Sequence, residues 1–430
     1  MKKQTIKEEI DTRKIKRPNF LYVILGYIWK IIYFKKLKVN VKYKDNVKKI
    51  KLPYIVVSNH ASRMDYIYTG IPLLPKRLNF VCGYNEFFRS HLQGVFKILK
   101  VIPKRNFVSD IHTIKEIQRV INQKGGVVIY PEGMSSISGA NQPVAIGSGK
   151  LLKHLGVTVL YSKISGAYLT NTKYCLDERK GKIDVELGQL FTPDDLKNMT
   201  DDEIDDKLNT FLYNDDYEWN KINHIKYDGR GRIAHNMHTL LYWCPNCNSE
   251  FTMSGHDNIL ECKKCGIKIN IDEEYNMIPQ NPDIKIPSTP KVWYDIQREN
   301  VKKEILKNDF QMIEKVKLGI LPQNNYLKNK DTSIIVGEGI VKLDKSGFTY
   351  EGTKNNEKFS FHIDPKNLPT YGMCTDVSRF YTFYESEFYE FYPSTECVAK
   401  WFLATEEIHR LMGGKWGSKT EEIKKGYSQK

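Results

Sequence analysis

The chain contains no run of about 20 apolar residues, which is the length that an α-helix needs to cross a bilayer. Its most apolar stretch, residues 20–34, has fifteen residues and includes Lys30. No small-residue cleavage site follows this stretch, so we do not expect a secretory signal peptide. The sequence also lacks internal repeats and long low-complexity tracts, which argues against a repeat architecture.

Acidic residues are scarce at the amino terminus. Residues 1–51 hold sixteen Lys and Arg against four Asp and Glu, and the whole chain holds 66 against 51, a net charge of +15. Such an excess indicates an anionic partner. Because basic residues flank the apolar stretch, residues 1–50 are predicted to form a segment that lies in the headgroup region of an anionic leaflet. The alternative is a buried core helix. We expect a peripheral protein on the cytoplasmic face of the membrane.

The length of 430 residues predicts two or three domains. From Tyr54 to about residue 164, short apolar strands alternate with helical patterns, which predicts an α/β domain over residues 51–235. After a proline-rich linker, five strand-like runs and a helix over Cys397–Leu411 predict a small β-rich barrel or sandwich over residues 291–430. The order of these last elements resembles that of pleckstrin-homology-like domains.

Four of the eight cysteines form two C-x-x-C pairs, fourteen residues apart. They are Cys244, Cys247, Cys262 and Cys265. Each pair can turn two thiolates toward one tetrahedral ion, and the intervening segment is long enough for a hairpin. This spacing predicts a structural zinc ribbon over residues 240–275, with a closed coordination shell and no catalytic metal. The alternative is two reactive dithiol pairs, for which no thioredoxin-like context is present.

A histidine and an aspartate lie five residues apart, directly after the apolar strand 54–57. His60 and Asp65 have the layout of a general base and of the carboxylate that orients it, because an aspartate on one ring nitrogen fixes the tautomer of the imidazole. By spacing alone the histidine can also be a capping or packing residue.

Two further loops follow apolar strands. Pro131-Glu132-Gly133 comes after the strand 127–130, and Ile102-Pro103-Lys104-Arg105 lies between this loop and the histidine. The three motifs, in this order, resemble those of the glycerolipid acyltransferase family, whose best-known members are the 1-acylglycerol-3-phosphate acyltransferases. The likeness runs from about residue 20 to about residue 230.

The resemblance implies a role for each matching residue. His60 is the general base and Asp65 its partner, and the substrate-binding residues are Asn59, Arg63, Lys104, Arg105, Glu132 and Gly133. The implied reaction moves an acyl group from acyl-CoA or acyl-carrier protein to the hydroxyl of a lysolipid acceptor, by default 1-acylglycerol 3-phosphate. It requires neither a covalent enzyme intermediate nor a metal.

One departure from the family pattern bears on the acceptor. Where the family usually carries threonine-arginine-serine after proline-glutamate-glycine, this chain has Met134-Ser135-Ser136. A guanidinium that binds phosphate is not replaced by a hydroxyl. Either Arg63, Lys104 or Arg105 holds the phosphate instead, or the acceptor carries another head group, such as that of a different lysophospholipid or a glycolipid. The alternative is that position 135 varies without any effect on the acceptor.

Two other functions compete with acyl transfer. A zinc-ribbon nucleic-acid binder is opposed by the ribbon itself, since residues 244–266 hold two lysines against three acidic residues, and we expect no nucleic acid partner. A non-catalytic lipid-binding scaffold that keeps the fold is opposed by the intact His60 and Asp65. Met134 and Ser135 leave this second alternative open.

Overall fold

The computed structural model describes residues 4–328 and 331–416. Within this part of the chain the helices are α1 (Ile6–Thr12), α2 (Leu21–Trp29), α3 (Asp65–Gly70), α4 (Gln93–Leu99), α5 (Ile111–Asn122), α6 (Ser148–Leu155), α7 (Ala167–Thr170), α8 (Pro193–Asn198), α9 (Asp201–Leu212), α10 (Asp216–Asn223), α11 (Pro290–Ile305) and α12 (Val398–Leu411). A π-helical turn, Lys30–Phe34, continues α2.

The strands form three sheets. The first contains β1 (Val39–Tyr43), β2 (Tyr54–Ser58), β3 (Leu78–Gly83), β4 (Ile102–Lys104), β5 (Gly126–Ile129), β6 (Thr158–Ser165) and β7 (Ile183–Phe191). The second contains β8 (Met253–His256), β9 (Ile259–Cys262), β10 (Lys268–Ile271) and β11 (Met277–Pro279). The third contains β12 (Gln311–Ile320), β13 (Ile334–Asp344), β14 (Gly347–Lys354), β15 (Glu357–Ile363), β16 (Gly372–Met373), β17 (Phe380–Tyr384) and β18 (Glu387–Pro393).

The first sheet has the order β1-β7-β6-β2-β5-β3-β4. Every neighbouring pair is parallel except β6 and β7. The valine- and isoleucine-rich strands β2 and β5 lie side by side and are almost wholly buried, as expected for central strands of an α/β sheet. Their carboxyl ends therefore meet at one edge, and the loops that follow them begin next to each other. The α/β prediction for this part of the chain is confirmed.

The amino-terminal segment is built into this domain. β1 pairs with β7 from Val39 to Tyr43, so the sheet includes a strand from the segment 1–50 that the sequence analysis set apart. Ile6 and Ile10 of α1 are buried, as are Tyr22 and Gly26 of α2. One side of the apolar stretch thus packs on the core. Within the described residues, no helix is long and apolar enough to cross a membrane.

Side chains cap the starts of two helices in this domain. Asp110 caps α5 and accepts a hydrogen bond from the backbone N–H of Thr113 at 3.2 Å. Thr200 and Glu203 form a capping box at the start of α9. Such side chains satisfy backbone donors that have no partner within the helix.

The second and third sheets are antiparallel. β8 to β11 form a four-stranded ribbon, and the third sheet has the order β15-β14-β13-β12-β18-β17-β16. Its inner face packs on α12, which buries Trp401 and Phe402. The seven strands thus form one sheet, and the prediction of a β-rich carboxyl-terminal part is confirmed. β12 is a strand that the sequence analysis did not identify.

Candidate active site

His60 and Asp65 are joined by a hydrogen bond at the edge of the first sheet. His60 follows β2 and Asp65 begins α3, and His60 Nδ1 lies 2.9 Å from Asp65 Oδ2. An ionised carboxylate only accepts hydrogen bonds, so Nδ1 carries the proton and Nε2 is the ring atom with a free lone pair. The structure brings together the two residues that the sequence predicts as base and partner.

The partners of Asp65 fix its position. Its carboxylate is fully buried and accepts bonds from the Ser62 backbone N–H at 2.9 Å and from Ser62 Oγ at 2.8 Å. The ring of Tyr130 stacks on His60, with centroids 4.5 Å apart. These contacts hold the imidazole from two directions. The sequence analysis did not identify Ser62 or Tyr130, although both adjoin its motifs.

Glu132 points into the protein. The side chain is 1% exposed, and its carboxylate accepts bonds from the His60 backbone N–H at 2.7 Å, from the Gln142 N–H at 2.7 Å and from Asn141 Nδ2 at 2.8 Å. Burial raises the pKa of Glu132 to about 8, while the bonds donated by these groups lower it. The contacts tie the loop after β5 to the loop after β2. A direct contact of Glu132 with the acceptor stays a prediction that none of these bonds supports.

Asn59 and Gly133 also shape the backbone around His60. The Asn59 amide donates to the carbonyl of Ile164 and accepts from its N–H, both at 2.8 Å, so it pins the histidine loop to β6. Gly133 has φ +74°, and a Cβ there would lie 3.2 Å from the Phe107 ring. A side chain at this turn is disfavoured by both the backbone conformation and the space. Their predicted substrate contacts stay predictions.

Arg105 is already engaged by acidic residues. Its Nη2 lies 2.7 Å from an oxygen of Asp11 in α1, its Nη1 lies 3.9 Å from Asp110, and the guanidinium stands 4.2 Å above the ring of Tyr84. Lys104 Nζ donates to the Arg105 carbonyl at 3.3 Å, and burial lowers the pKa of Lys104. Phosphate binding by either residue stays a prediction, and for Arg105 it requires competition with two carboxylates.

A small cavity adjoins His60. It is open on one side and is lined by Asn59, His60, Ala61, Ser136, Gly139, Ala140, Asn141 and Asn214. The Ser136 N–H donates to the His60 carbonyl at 2.7 Å, so the loop after Pro-Glu-Gly forms one wall. Hydroxyl and amide groups on these walls can orient a polar ligand beside the imidazole.

The carboxyl-terminal sheet contacts this edge of the α/β domain. The Met373 N–H lies 3.3 Å from Met134 Sδ, and Asn106 Nδ2 donates to the Tyr381 hydroxyl at 3.3 Å. The ring of Phe107 packs edge-on against Trp416. The loops after β4 and β5 are therefore covered in part by the third sheet, which the sequence analysis treated as a separate unit.

The four predicted cysteine ligands lie together beside the second sheet. Their sulfur atoms are all within 4.8 Å of one another, with Cys244 Sγ 3.7 Å from Cys265 Sγ and Cys247 Sγ 3.8 Å from Cys262 Sγ. A tetrahedral zinc with Zn–S bonds of about 2.3 Å places its sulfurs about 3.8 Å apart. The hairpin of β8 and β9 joins the two pairs, as predicted. This four-cysteine cluster can hold a metal ion.

Comparison with known proteins shows what the first domain is similar to. Residues 38–161 match the family model described as Acyltransferase. A similar solved structure is that of the 1-acyl-sn-glycerophosphate (LPA) acyltransferase PlsC from Thermotoga maritima, with 19% sequence identity and a TM-score of 0.36. The match covers 44% of this chain and 76% of that chain.

An α/β domain with a hydrogen-bonded His–Asp pair at the ends of parallel strands is compatible with enzymes in which a histidine accepts a proton from a hydroxyl nucleophile. The match over residues 38–161 to the Acyltransferase family model agrees with the predicted acyltransferase. The roles of individual residues stay predictions.

Proposed function

We propose that this protein is an O-acyltransferase that moves a fatty acyl group from an acyl-CoA or acyl-carrier-protein thioester to the hydroxyl of a membrane lysophospholipid, by default 1-acylglycerol 3-phosphate. The observation that carries the proposal is the bond between His60 and the buried Asp65, beside a cavity at the junction of the loops after β2 and β5. The family match supports acyl transfer as the reaction.

The geometry supports the role of general base for His60. Asp65 holds the Nδ1–H, which leaves Nε2 to accept the proton of the acceptor hydroxyl. As that proton is taken, the hydroxyl oxygen attacks the thioester carbonyl carbon. The new carbon–oxygen bond forms and the carbon–sulfur bond breaks, and the proton passes from His60 to the leaving thiolate. Asp65 stabilises the imidazolium that exists between these two transfers.

A shallow apolar depression beside α2 is lined by Tyr22, Trp29, Tyr66, Leu74 and Phe80. Its free space is about that of one water molecule, so an acyl chain can enter it only if these side chains move apart.

We further propose that the exposed face of α2 and its π-helical extension rests on the cytoplasmic face of the membrane. Phe20, Ile24, Ile28 and Ile32 are each about half exposed or more, and Ile31 is 75% exposed. Lysines before and after this stretch supply positive charge, and each contributes on the order of 1 kcal/mol near an anionic leaflet. The helix therefore contacts the domain on one side and the headgroup region on the other.

The membrane proposal is tested by vesicle sedimentation. Replacing Ile28 and Ile31 by serine should weaken binding to anionic vesicles about tenfold or more, because two exposed isoleucines no longer bury apolar surface. Ile111→Ser on α5, where the isoleucine is also exposed, is the matched control and should change nothing. Point variants are preferable to removing residues 1–36, since Ile6 and Ile10 belong to the core. Equal binding by all forms would contradict the proposal.

We also propose that the four-cysteine cluster holds one structural zinc. Four thiolates close the coordination shell and leave no position for a substrate, so the ion would serve only to hold the ribbon together. The sulfur spacing supports a tetrahedral ion of this size.

The acyl-transfer proposal is tested by incubating a lipid extract with a labelled acyl donor, with and without the protein. We expect label to appear in a phospholipid whose lysolipid is consumed, together with one free thiol for each acyl group transferred. If no lipid gains label while the protein still binds vesicles, the non-catalytic scaffold is the correct interpretation.

A further inference from the structure

A lysine stands next to the position at which this chain lacks the family's arginine. Lys173 follows α7, and its Nζ lies 3.4 Å from the hydroxyl of Ser135. The side chain is only 5% exposed. This contact uses one of the three N–H donors of the ammonium group, so two remain for another partner.

Arg63 is a second cation with unused donors in this region. Its Nη2 donates to the Leu176 carbonyl at 2.6 Å, while Nη1 is buried without a hydrogen-bond partner in the described part of the chain. Arg63 directly follows Ser62, which holds Asp65, so it lies close to the His60 loop. Burial lowers the pKa of Lys173 to about 8, and the positive charge of Arg63 adds a smaller lowering.

The carboxylates around these two cations are paired with other residues. Glu86 lies 2.9 Å from Arg89, and Asp376 lies 3.7 Å from Arg379. Glu178 forms an ion pair with Lys36. Among residues 4–328 and 331–416, neither Arg63 nor Lys173 has an ion pair with a carboxylate. Lys173 is buried and Arg63 is partly buried. A buried cation without a counter-ion is costly unless an anion joins it.

The third sheet closes one side of this region. The Asp376 N–H donates to the Lys173 carbonyl at 2.8 Å, and Met373 contacts Met134, the neighbour of Ser135. These contacts keep bulk water from one side of Lys173. Exclusion of water strengthens the attraction between a cation and an anionic ligand.

We infer that Lys173 and Arg63 form an anion-binding site beside Ser135, and that it takes the phosphate group of the acceptor in place of the missing arginine at position 135. The inference rests on the proposed acyl transfer and names the residues that select its acceptor. A lysine from the β6–β7 connection thus supplies the charge that the Pro-Glu-Gly loop does not carry. A phosphate of the CoA donor could bind the same two cations. The test must therefore distinguish binding of the acceptor phosphate from binding of a CoA phosphate.

The test compares two short-chain acceptors, 1-acylglycerol 3-phosphate and the monoacylglycerol of the same chain length. Lys173→Met should raise KM for the phosphate acceptor about 10- to 100-fold, because a charge-assisted bond is lost, and should leave kcat/KM for the neutral acceptor within about twofold. Lys180→Met, an exposed lysine on the same segment, is the matched control and should behave as the unaltered protein.

Two further variants separate loss of charge from loss of fold. Lys173→Arg keeps the charge and should keep KM within about threefold. Adding Ser135→Arg to Lys173→Met should recover much of the lost affinity, because it returns a cation to the same place. If Lys173→Met fails to fold, Lys173→Arg still tests the inference, because it should remove the rise of KM for the phosphate acceptor above pH 8 that the unaltered protein shows.

Binding and donor measurements distinguish the remaining outcomes. The short-chain phosphate acceptor should raise the melting temperature of the unaltered protein more than the monoacylglycerol does, and Lys173→Met should abolish the difference. If both melting-temperature results are observed but no acyl transfer is detected, the proposed function is wrong and the anion-binding site is confirmed. If acyl transfer occurs but Lys173→Met raises KM equally for both acceptors, Lys173 does not bind the acceptor phosphate. If Lys173→Met raises KM only for acyl-CoA, and not for a thioester without phosphates, the site binds the donor and the inference is wrong.

Discussion

The two sides of the candidate site meet at Ser135 and Ser136 and differ in how their charges are compensated. On one side, Asp65 is fully buried and accepts bonds from His60 and Ser62, and Glu132 accepts three bonds from the surrounding loops. On the other side, within the described residues, Lys173 Nζ bonds to a neutral hydroxyl and Arg63 to a carbonyl, and neither forms an ion pair with a carboxylate. The acidic groups of the first side thus have several hydrogen-bond donors within the protein, whereas the cations of the other side have no anionic partner there.

This difference indicates that the two sides have separate roles, with catalysis on the side of His60 and ligand binding on the side of Lys173. A general base works only when its tautomer and orientation are fixed in advance, which internal hydrogen bonds achieve. A binding group instead keeps part of its interaction for the ligand, because donors already satisfied within the protein gain little from an anion. We expect substitutions of His60 or Asp65 to lower kcat and substitutions of Lys173 or Arg63 to raise KM for the acceptor.

The largest effect is expected from His60→Ala. Loss of a general base should lower kcat by about 10² to 10⁴ while KM for the acceptor stays within about threefold. Asp65→Asn should be nearly as severe, because the amide favours the wrong imidazole tautomer. Steady-state assays with both substrates saturating measure the effect, and circular dichroism checks the fold. Near-normal turnover by His60→Ala would contradict the role of His60 as general base.

The next effect concerns the metal cluster and the carboxyl-terminal sheet. Cys244→Ser with Cys247→Ser should abolish zinc binding and lower the free energy of unfolding of the ribbon by several kcal/mol. Glu250 next to the ribbon forms an ion pair with Lys400 of α12 at 2.6 Å, so loss of the metal should also loosen the sheet that covers Lys173. Metal analysis of the unaltered protein should find one zinc per chain.

The dependence of binding on pH should differ between the two sides. Lys173 is charged below its pKa of about 8 and becomes neutral as the pH rises through it, whereas Arg63 stays charged. The phosphate monoester is already a dianion there, so KM for the phosphate acceptor should rise above pH 8 by up to about tenfold per unit. Lys173→Arg should remove this rise. A bound phosphate favours the charged lysine, so the higher pKa of the complex sets the pH at which this rise ends.

The smallest effect is expected at Arg105. Its guanidinium pairs with Asp11 and covers Tyr84, so Arg105→Lys should lower the free energy of unfolding by about 1 kcal/mol. KM for the phosphate acceptor should stay within about twofold. A tenfold rise in KM would instead transfer the phosphate site to the loop after β4, as the sequence motif alone predicts.

The sequence predicted the chemical side better than the binding side for a physical reason. His60 and Asp65 are five residues apart, and the valine-rich runs that form β2 and β5 have a clear strand pattern. Residues close together in the sequence were therefore enough to predict this pair. Lys173 and Ser135 are 38 residues apart in the sequence, and only the pairing of β2 with β5 and β6 brings their loops together. The bond of Arg105 to Asp11 spans 94 residues.

The carboxyl-terminal part shows the same limit. Its helix and five strands were predictable from alternation and turn residues, while β12 was missed because charged side chains occupy much of it and have low strand propensity. The contacts of Met373 and Asp376 with the first domain join residues from distant parts of the chain, and no local pattern reports them.

One binding measurement tests most directly whether His60 serves catalysis and Lys173 serves binding. Equilibrium dialysis of labelled short-chain 1-acylglycerol 3-phosphate against the unaltered protein, His60→Ala and Lys173→Met requires no turnover. We predict that His60→Ala binds with unchanged Kd and that Lys173→Met binds about 10- to 100-fold more weakly. Unchanged binding by Lys173→Met, with loss of binding by His60→Ala, would contradict the account.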